Sequence, residues 1–109
     1  MNTQSKQKRI AFGYNRGPVN QIEINEGQAA TVKLIYGWYC EGKSLSKIAD
    51  LLSDMCIPSP QNKQTWGRQA LANILSNVHY TGEDNYPMII SVEQFKTAQE
   101  MKSQHAAKI

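Results

Sequence analysis

Apolar residues recur along this chain at helical spacing in four separated stretches. Ala29, Val32, Ile35, Tyr36 and Tyr39 form the first stripe, and Leu45, Ile48, Ala49, Leu52 and Met55 the second. Ala70, Leu71, Ile74 and Leu75 form the third, and Phe95, Ala98 and Met101 or Lys102 the fourth. Each stretch is bounded by residues that start or stop helices. Asn25 can cap the first, with Gln28 three residues on, and Gly42 follows as a stop without a Cβ. Ser44 caps the second, and Pro58 and Pro60 prevent its continuation. Trp66 opens the third run, with Asn77 near its end. Ser91 and Gln94 make a capping box for the fourth, with Ile90 and Phe95 at staple positions across its start.

Ahead of the helices, Ile10 to Tyr14 and Gln21 to Ile24 read as two short strands joined by the turn residues Asn15-Arg16-Gly17-Pro18. Gln61 to Thr65 is a polar loop, and Tyr80-Thr81-Gly82 a turn or strand stub. Only Gly42 and Lys43 separate the first two helices, so these must turn sharply against each other. The predicted fold is mainly α: a small helical bundle with a helix-turn-helix-like arrangement and a short N-terminal β-hairpin. Residues 1–8 are expected to be a flexible basic arm, 9–104 the folded domain and 105–109 a frayed tail. Small three-helix folds serve many roles, so this architecture names no function.

Composition narrows the class. The 109 residues, 40% of them hydrophobic, suffice for one ordinary domain. No apolar run approaches the roughly 18 residues that span a bilayer, and the polar, basic start has no secretory h-region. Cys40 and Cys56 fit neither a disulfide framework nor a zinc pair; they read as buried thiols suited to a cytoplasmic protein. The net charge of +3 is modest but uneven. Lys6, Lys8, Arg9 and Arg16 lie in the first twenty residues without an acid, and Lys63 and Arg68 lie in a second acid-free stretch, residues 61–82. Local basic excess of this kind suits a polyanionic partner, and equally an ordinary solvated surface.

The ordered residues resemble a known family. Phe12-Gly13-Tyr14, Asn25-Glu26 with Ala29 and Val32, and Glu41-Gly42-Lys43-Ser44 resemble the DNA-binding recombinase domain of large serine recombinases, the site-specific integrases. The likeness runs on through Ile48-Ala49, Leu52, Ile57-Pro58-Ser59-Pro60, Trp66, Ile74-Leu75-Ser76-Asn77 and Tyr80-Thr81-Gly82. It closes with Ile89-Ile90-Ser91, Phe95 and Gln99, covering residues 9 to 102. The resemblance implies a helical module that sits on double-stranded attachment-site DNA beside the catalytic domain of a mobile-element serine recombinase. In that family the catalytic serine belongs to a separate resolvase-like domain, and a zinc ribbon and coiled coil usually follow. Three departures stand out. Cys56 replaces a usual glycine at a helix exit, Gly67 replaces a Ser or Thr before the third helix, and the stretch from Gly82 to Pro87 is shorter than the family's hairpin.

Candidate contacts follow from residue chemistry within this frame. Arg68, Gln69, Ala72 and Asn73 lie off the apolar stripe of the third helix; Arg suits guanine, and Gln or Asn suits adenine. Lys63, Gln64 and Thr65 precede that helix and are candidate phosphate contacts, as are Lys43, Ser44 and Lys47 at the start of the second. Arg9 and Arg16, with Lys6 and Lys8, make a basic arm suited to a minor groove or the backbone. The alternatives are a solvated helix face, a cap that only caps, and a disordered leader. Trp66 reads as a core plug rather than a base-stacking residue, and Tyr36, Trp38 and Tyr39 as structural.

Other chemistry has little support. His79 and His105 stand apart from each other and from any cysteine pair, so no metal is expected. There is no glycine-rich phosphate loop, paired-carboxylate motif or Ser/His/Asp set, and no cofactor is expected. Serine recombination needs a nucleophilic serine among several arginines, whereas Arg9, Arg16 and Arg68 fall in separate segments. The chain is therefore not expected to cut DNA by itself. Two other readings stand beside the recombinase module. One is a stand-alone DNA-binding regulator or excision accessory factor of the same fold; the other is a protein-interaction module presenting Trp38, Tyr86 and Pro87.

Overall fold

The computed structural model describes residues 10–19 and 21–107, the last three by their backbone alone. The expected basic arm and Arg9 lie outside the described residues. Among the described residues, four α-helices follow a two-stranded hairpin: β1 (Tyr14–Arg16), β2 (Ile22–Ile24), α1 (Glu26–Cys40), α2 (Leu45–Asp54), α3 (Arg68–Leu75) and α4 (Val92–Ala107). The fold is mainly helical with a short hairpin, as the pattern predicts. Helix α4 continues three residues beyond Gln104, where the apolar pattern stops.

Helix α1 is the axis of the bundle and packs against each of the other three helices. Its stripe is buried as predicted, with Val32, Ile35 and Tyr36 fully enclosed. Ile48 and Leu52 of α2, Leu71 and Leu75 of α3, and Ala98 of α4 complete the core around it, together with Tyr80 and Ile90. Met55 departs from the expected stripe: it is the C-cap of α2 and half exposed. The three predicted N-cap bonds form, but the return bond of a capping box at α1 does not, because Gln28 Oε1 accepts from the Gly13 amide and the Asn25 amide donates to the Gly13 carbonyl. Asn25 accepts from the Gln28 amide, Ser44 from the Lys47 amide and Ser91 from the Gln94 amide, each at 3.0–3.1 Å.

Helices α1 and α2 end in the same way. At the end of α1, the Gly42 amide bonds the Tyr39 carbonyl and the Lys43 amide bonds the Trp38 carbonyl, with Gly42 at φ +106°. At the end of α2, the Cys56 amide bonds the Ser53 carbonyl and the Ile57 amide the Leu52 carbonyl, with Cys56 at φ +59°. Both are Schellman closures, and each directs the chain sharply off its helix. The second places a cysteine in the left-handed position that glycine takes in the first. That position turns Cys56 outward, so its thiol is exposed and not buried as expected; Cys40 is partly buried.

The hairpin pairs later in the chain than the pattern suggests. Pairing runs Tyr14 to Ile24, Asn15 to Glu23 and Arg16 to Ile22, so Asn15 and Arg16 are strand and not turn residues. The cause is Gly13, at φ +109°, where the chain turns before β1 begins. Its amide donates to Gln28 Oε1 and its carbonyl accepts from the Asn25 amide, which ties the turn to the start of α1. A Cβ at Gly13 would lie 3.2 Å from Ile89 Cδ1.

Between α3 and α4 the chain makes two short 3-10 turns, Val78–Thr81 and Glu83–Asn85. These carry an aromatic cluster in which Tyr14 stacks on Tyr80 and meets Tyr86 edge-on, while His79 stacks on Tyr86 and pairs with Asp84 at 2.8 Å. Tyr86, Pro87 and Trp38, expected to be exposed on an interaction face, are each only partly exposed, and Tyr86 is engaged by its neighbours.

Candidate nucleic-acid interface

The segment joining α2 to α3 has no regular structure, yet it is tied down at three points. Ser53 Oγ donates to the Gln64 carbonyl at 3.3 Å. Ser59, itself buried, bonds Lys63 twice: its amide donates to the Lys63 carbonyl and its Oγ accepts from the Lys63 amide. Trp66 Nε1 donates to the Ile57 carbonyl at 2.9 Å, and its ring packs edge-on against Phe12. The indole is 6% exposed, so Trp66 is the core plug that its sequence context suggests. Because it is used to close the loop, the helix begins two residues later than expected, at Arg68. The fixed path leaves Lys63, Gln64 and Thr65 exposed just before α3.

Helix α3 differs from the other three helices at its start. Gly67 offers no side chain to cap it, whereas Asn25, Ser44 and Ser91 serve the others. The amides of its first turn therefore face outward without a side-chain acceptor. Its far end is held firmly. Tyr36 Oη donates to the Ile74 carbonyl at 2.8 Å, Gln99 Nε2 donates to the Leu75 carbonyl at 2.7 Å, and Lys102 Nζ meets Ser76 Oγ at 2.6 Å. Side chains of α1 and α4 thus fix the position of α3 and complement the negative end of its dipole.

With Leu71, Ile74 and Leu75 buried, the opposite side of α3 is open. Arg68, Ala72, Ser76, Gln69 and Asn73 share about 140° of arc at roughly 100° per residue. All are exposed except Ala72, which is half-buried. Gln69 Nε2 donates to Asn73 Oδ1 at 2.9 Å. Arg68 forms no ion pair with another described residue. No acid occurs between residues 61 and 82, so nothing on this segment offsets Lys63 or Arg68. Gln69 and Asn73 also line a cleft of about 430 Å³ with Gln61, Asn77, Ala11 and Phe12. Gln61, Asn77 and Lys102 were not among the expected site residues. Two amides in the acid-free stretch were a weak signal for the first pair. Nothing local marks Lys102, which reaches Ser76 across 26 residues of chain.

The other expected contacts lie elsewhere. Lys43, Ser44 and Lys47 are at the start of α2, at the opposite end from Ser53, which anchors the Gln64 loop. Lys43 Nζ pairs with Glu41 at 3.2 Å, and Lys47 is exposed. Arg16 ends β1 and lines a separate cleft with Ile22, His79, Asp84 and Tyr86. The structure thus gathers Lys63, Gln64, Thr65, Arg68, Gln69 and Asn73 on one continuous segment, and leaves the remainder on other edges. The shifted titrations belong to the core: burial pushes the Tyr14 hydroxyl up to about 12, and pushes Tyr36, Tyr39, Tyr80 and the Cys40 thiol upward. Among the described residues, no helix is long and apolar enough to cross a membrane.

Comparison with known proteins agrees with this architecture. A crystal structure of an LSR–DNA complex (LSR, large serine recombinase) superposes with a TM-score of 0.72 at 24% identity, over 93% of this chain and 34% of that one. A structure concerned with the sequence requirements of the Listeria innocua prophage attP site gives a TM-score of 0.70 at 25% identity, over 90% of this chain and 44% of that one. The chain therefore spans a third to somewhat under half the length of these solved chains. No curated protein matches it. The model of the family described as Recombinase matches residues 26–105. With most of its length inside that match, the chain belongs to the Recombinase family.

Proposed function

We propose that this chain is the DNA-binding module of a mobile-element serine recombinase and recognises the duplex of an attachment site. The acid-free, exposed side of α3 carries the reading: Arg68, Gln69 and Asn73 stand beside one another on a helix whose position is fixed from behind. In this reading α3 enters a major groove, where Arg and amide side chains distinguish base edges. Lys63, Gln64 and Thr65 contact phosphate at its uncapped start, where outward amides favour an anion. Lys43, Ser44 and Lys47 meet the backbone from the start of α2, and Arg9 and Arg16 follow it or an adjacent minor groove. The two solved relatives support this, one in complex with DNA and one concerned with a prophage attP site.

Strand cleavage is assigned to a separate catalytic domain, which is the protein partner this reading requires. The chain works in the cytoplasm, on DNA, without a cofactor of its own. Tethering to further domains raises the effective concentration of a module with few cations.

The test is fluorescence anisotropy of a labelled random duplex across a salt series. Binding is expected to weaken steeply with salt, with a log–log slope equivalent to about three to six phosphate contacts. No binding even at low salt would overturn the proposal.

A further inference from the structure

The hydrogen bond between Gln69 and Asn73 has a consequence for which base is read. A glutamine amide carries one acceptor oxygen and two N–H donors, and its terminal torsion is broad, so a lone exposed glutamine presents donor and acceptor in no fixed order. Gln69 is not alone. One of its N–H groups is committed to Asn73 Oδ1 at 2.9 Å, one helical turn away on the same exposed face. That bond sets the amide plane, and when the N–H anti to Oε1 makes it, Oε1 and the N–H beside it are left as a free edge. An acceptor beside a donor is the complement of adenine in the major groove, which offers its N6 amino group and N7. Guanine offers two acceptors there, cytosine a donor with no acceptor of its own beside it, and thymine an acceptor with a methyl group. Ala72, adjacent on the same arc, adds only a methyl group that would stand between the helix and a base.

We infer that Gln69 is the residue that selects an adenine, and that Asn73 is a positioning residue that holds the Gln69 amide in its reading orientation. This rests on the reading of α3 as a groove-binding helix, and it names the base and divides the roles. Asn73 contributes through its oxygen, as an acceptor, and not by touching the base.

The experiment is selection from a randomised duplex library with the full chain and three variants, Gln69→Ala, Asn73→Ala and Asn73→Asp. Both positions are exposed, and matching thermal denaturation curves establish that the variants fold. The wild type is expected to enrich adenine at one position by roughly five- to hundredfold over other bases. Gln69→Ala removes that preference and leaves the rest of the selected motif intact. Asn73→Ala lowers it severalfold at the same position. Asn73→Asp keeps an oxygen where Asn73 Oδ1 stands, so it lowers affinity for every sequence but keeps the ratio of adenine to other bases. A motif whose adenine preference survives Gln69→Ala overturns the inference, as does one unmoved by Asn73→Ala or lost in Asn73→Asp. Failure to bind any duplex overturns the DNA-reading proposal itself, whereas a selected motif without this adenine overturns only the inference.

Discussion

The hydroxyl of Tyr36 donates to the carbonyl of Ile74 at 2.8 Å, so the middle of the central helix α1 holds the last turn of α3 in place. Tyr36 is fully buried, and a buried carbonyl that loses its donor is costly. The Ile74 carbonyl keeps a second, longer bond from the Asn77 amide at 3.3 Å, which softens the loss. Tyr36→Phe preserves the ring contacts with Tyr80 and Phe95 and removes only the hydroxyl. It is expected to destabilise the fold by about 1 kcal/mol in urea unfolding, with an unchanged m-value. A midpoint equal to that of the wild type would show that the bond contributes nothing net.

Tyr36 shares its position with two other tyrosines whose hydroxyls donate to backbone carbonyls. Tyr14 donates to Pro87 at 2.7 Å and Tyr80 to Phe12 at 2.6 Å. Burial is the main cause that raises all three, Tyr14 to about 12. An unfolded tyrosine titrates near 10. The folded form therefore binds its protons more tightly, and the stabilisation is fully present below pH 10. Above that, the unfolded chain gives up protons that the folded chain keeps, so stability falls with rising pH until the folded tyrosines also ionise. Denaturant midpoints measured from pH 7 upward should stay level with respect to these groups and then drop steeply above pH 10. Phenolate absorbance of the native protein should show these tyrosines titrating late; titration of every tyrosine near 10 in the folded state contradicts this.

Much of this arrangement was legible in the sequence because it is local. Asn25, Ser44 and Ser91 cap amides three residues away, and the apolar stripes of α1 and α3 follow helical spacing. What was misread depends on distant partners. The hairpin register follows from the Gly13 turn, whose amide is held by Gln28 fifteen residues on. The sequence has Trp66 opening α3, whereas its indole reaches Ile57 across the loop and the helix starts at Arg68. Of the candidate site, the exposed side of α3 could be read directly, since it is what remains when the stripe is removed. The supports behind it, Gln99 and Lys102, lie 24 and 26 residues from the atoms they hold, and no local pattern gives those partners.

Cys56 provides a test of backbone strain. It stands at φ +59° in a helix closure whose counterpart at the end of α1 uses Gly42. A residue with a Cβ in this conformation costs on the order of 1 kcal/mol relative to glycine, and the exposed thiol lacks a packed site that would offset it. Cys56→Gly should therefore raise stability by about 1 kcal/mol, a shift of a few degrees in Tm for a domain of this size. A lower Tm would mean that the thiol makes contacts worth more than the strain.

Arg68 and Lys63 are neighbours in the chain with different proposed tasks, and their variants should separate accordingly. Arg68 lies on the open arc of α3, where a guanidinium can address the two acceptors of guanine; Lys63 lies on the tied loop that precedes it. Arg68→Ala is expected to weaken binding to a selected site by about 1–3 kcal/mol and to relax discrimination at one or two base pairs. Lys63→Ala should instead weaken every sequence alike and reduce the salt slope by about one. Anisotropy titrations against the selected site and a scrambled duplex, each at several salt concentrations, distinguish the two effects. An Arg68→Ala variant with wild-type selectivity removes Arg68 from base reading, and a Lys63→Ala variant with an unchanged salt slope removes Lys63 from the phosphate contacts.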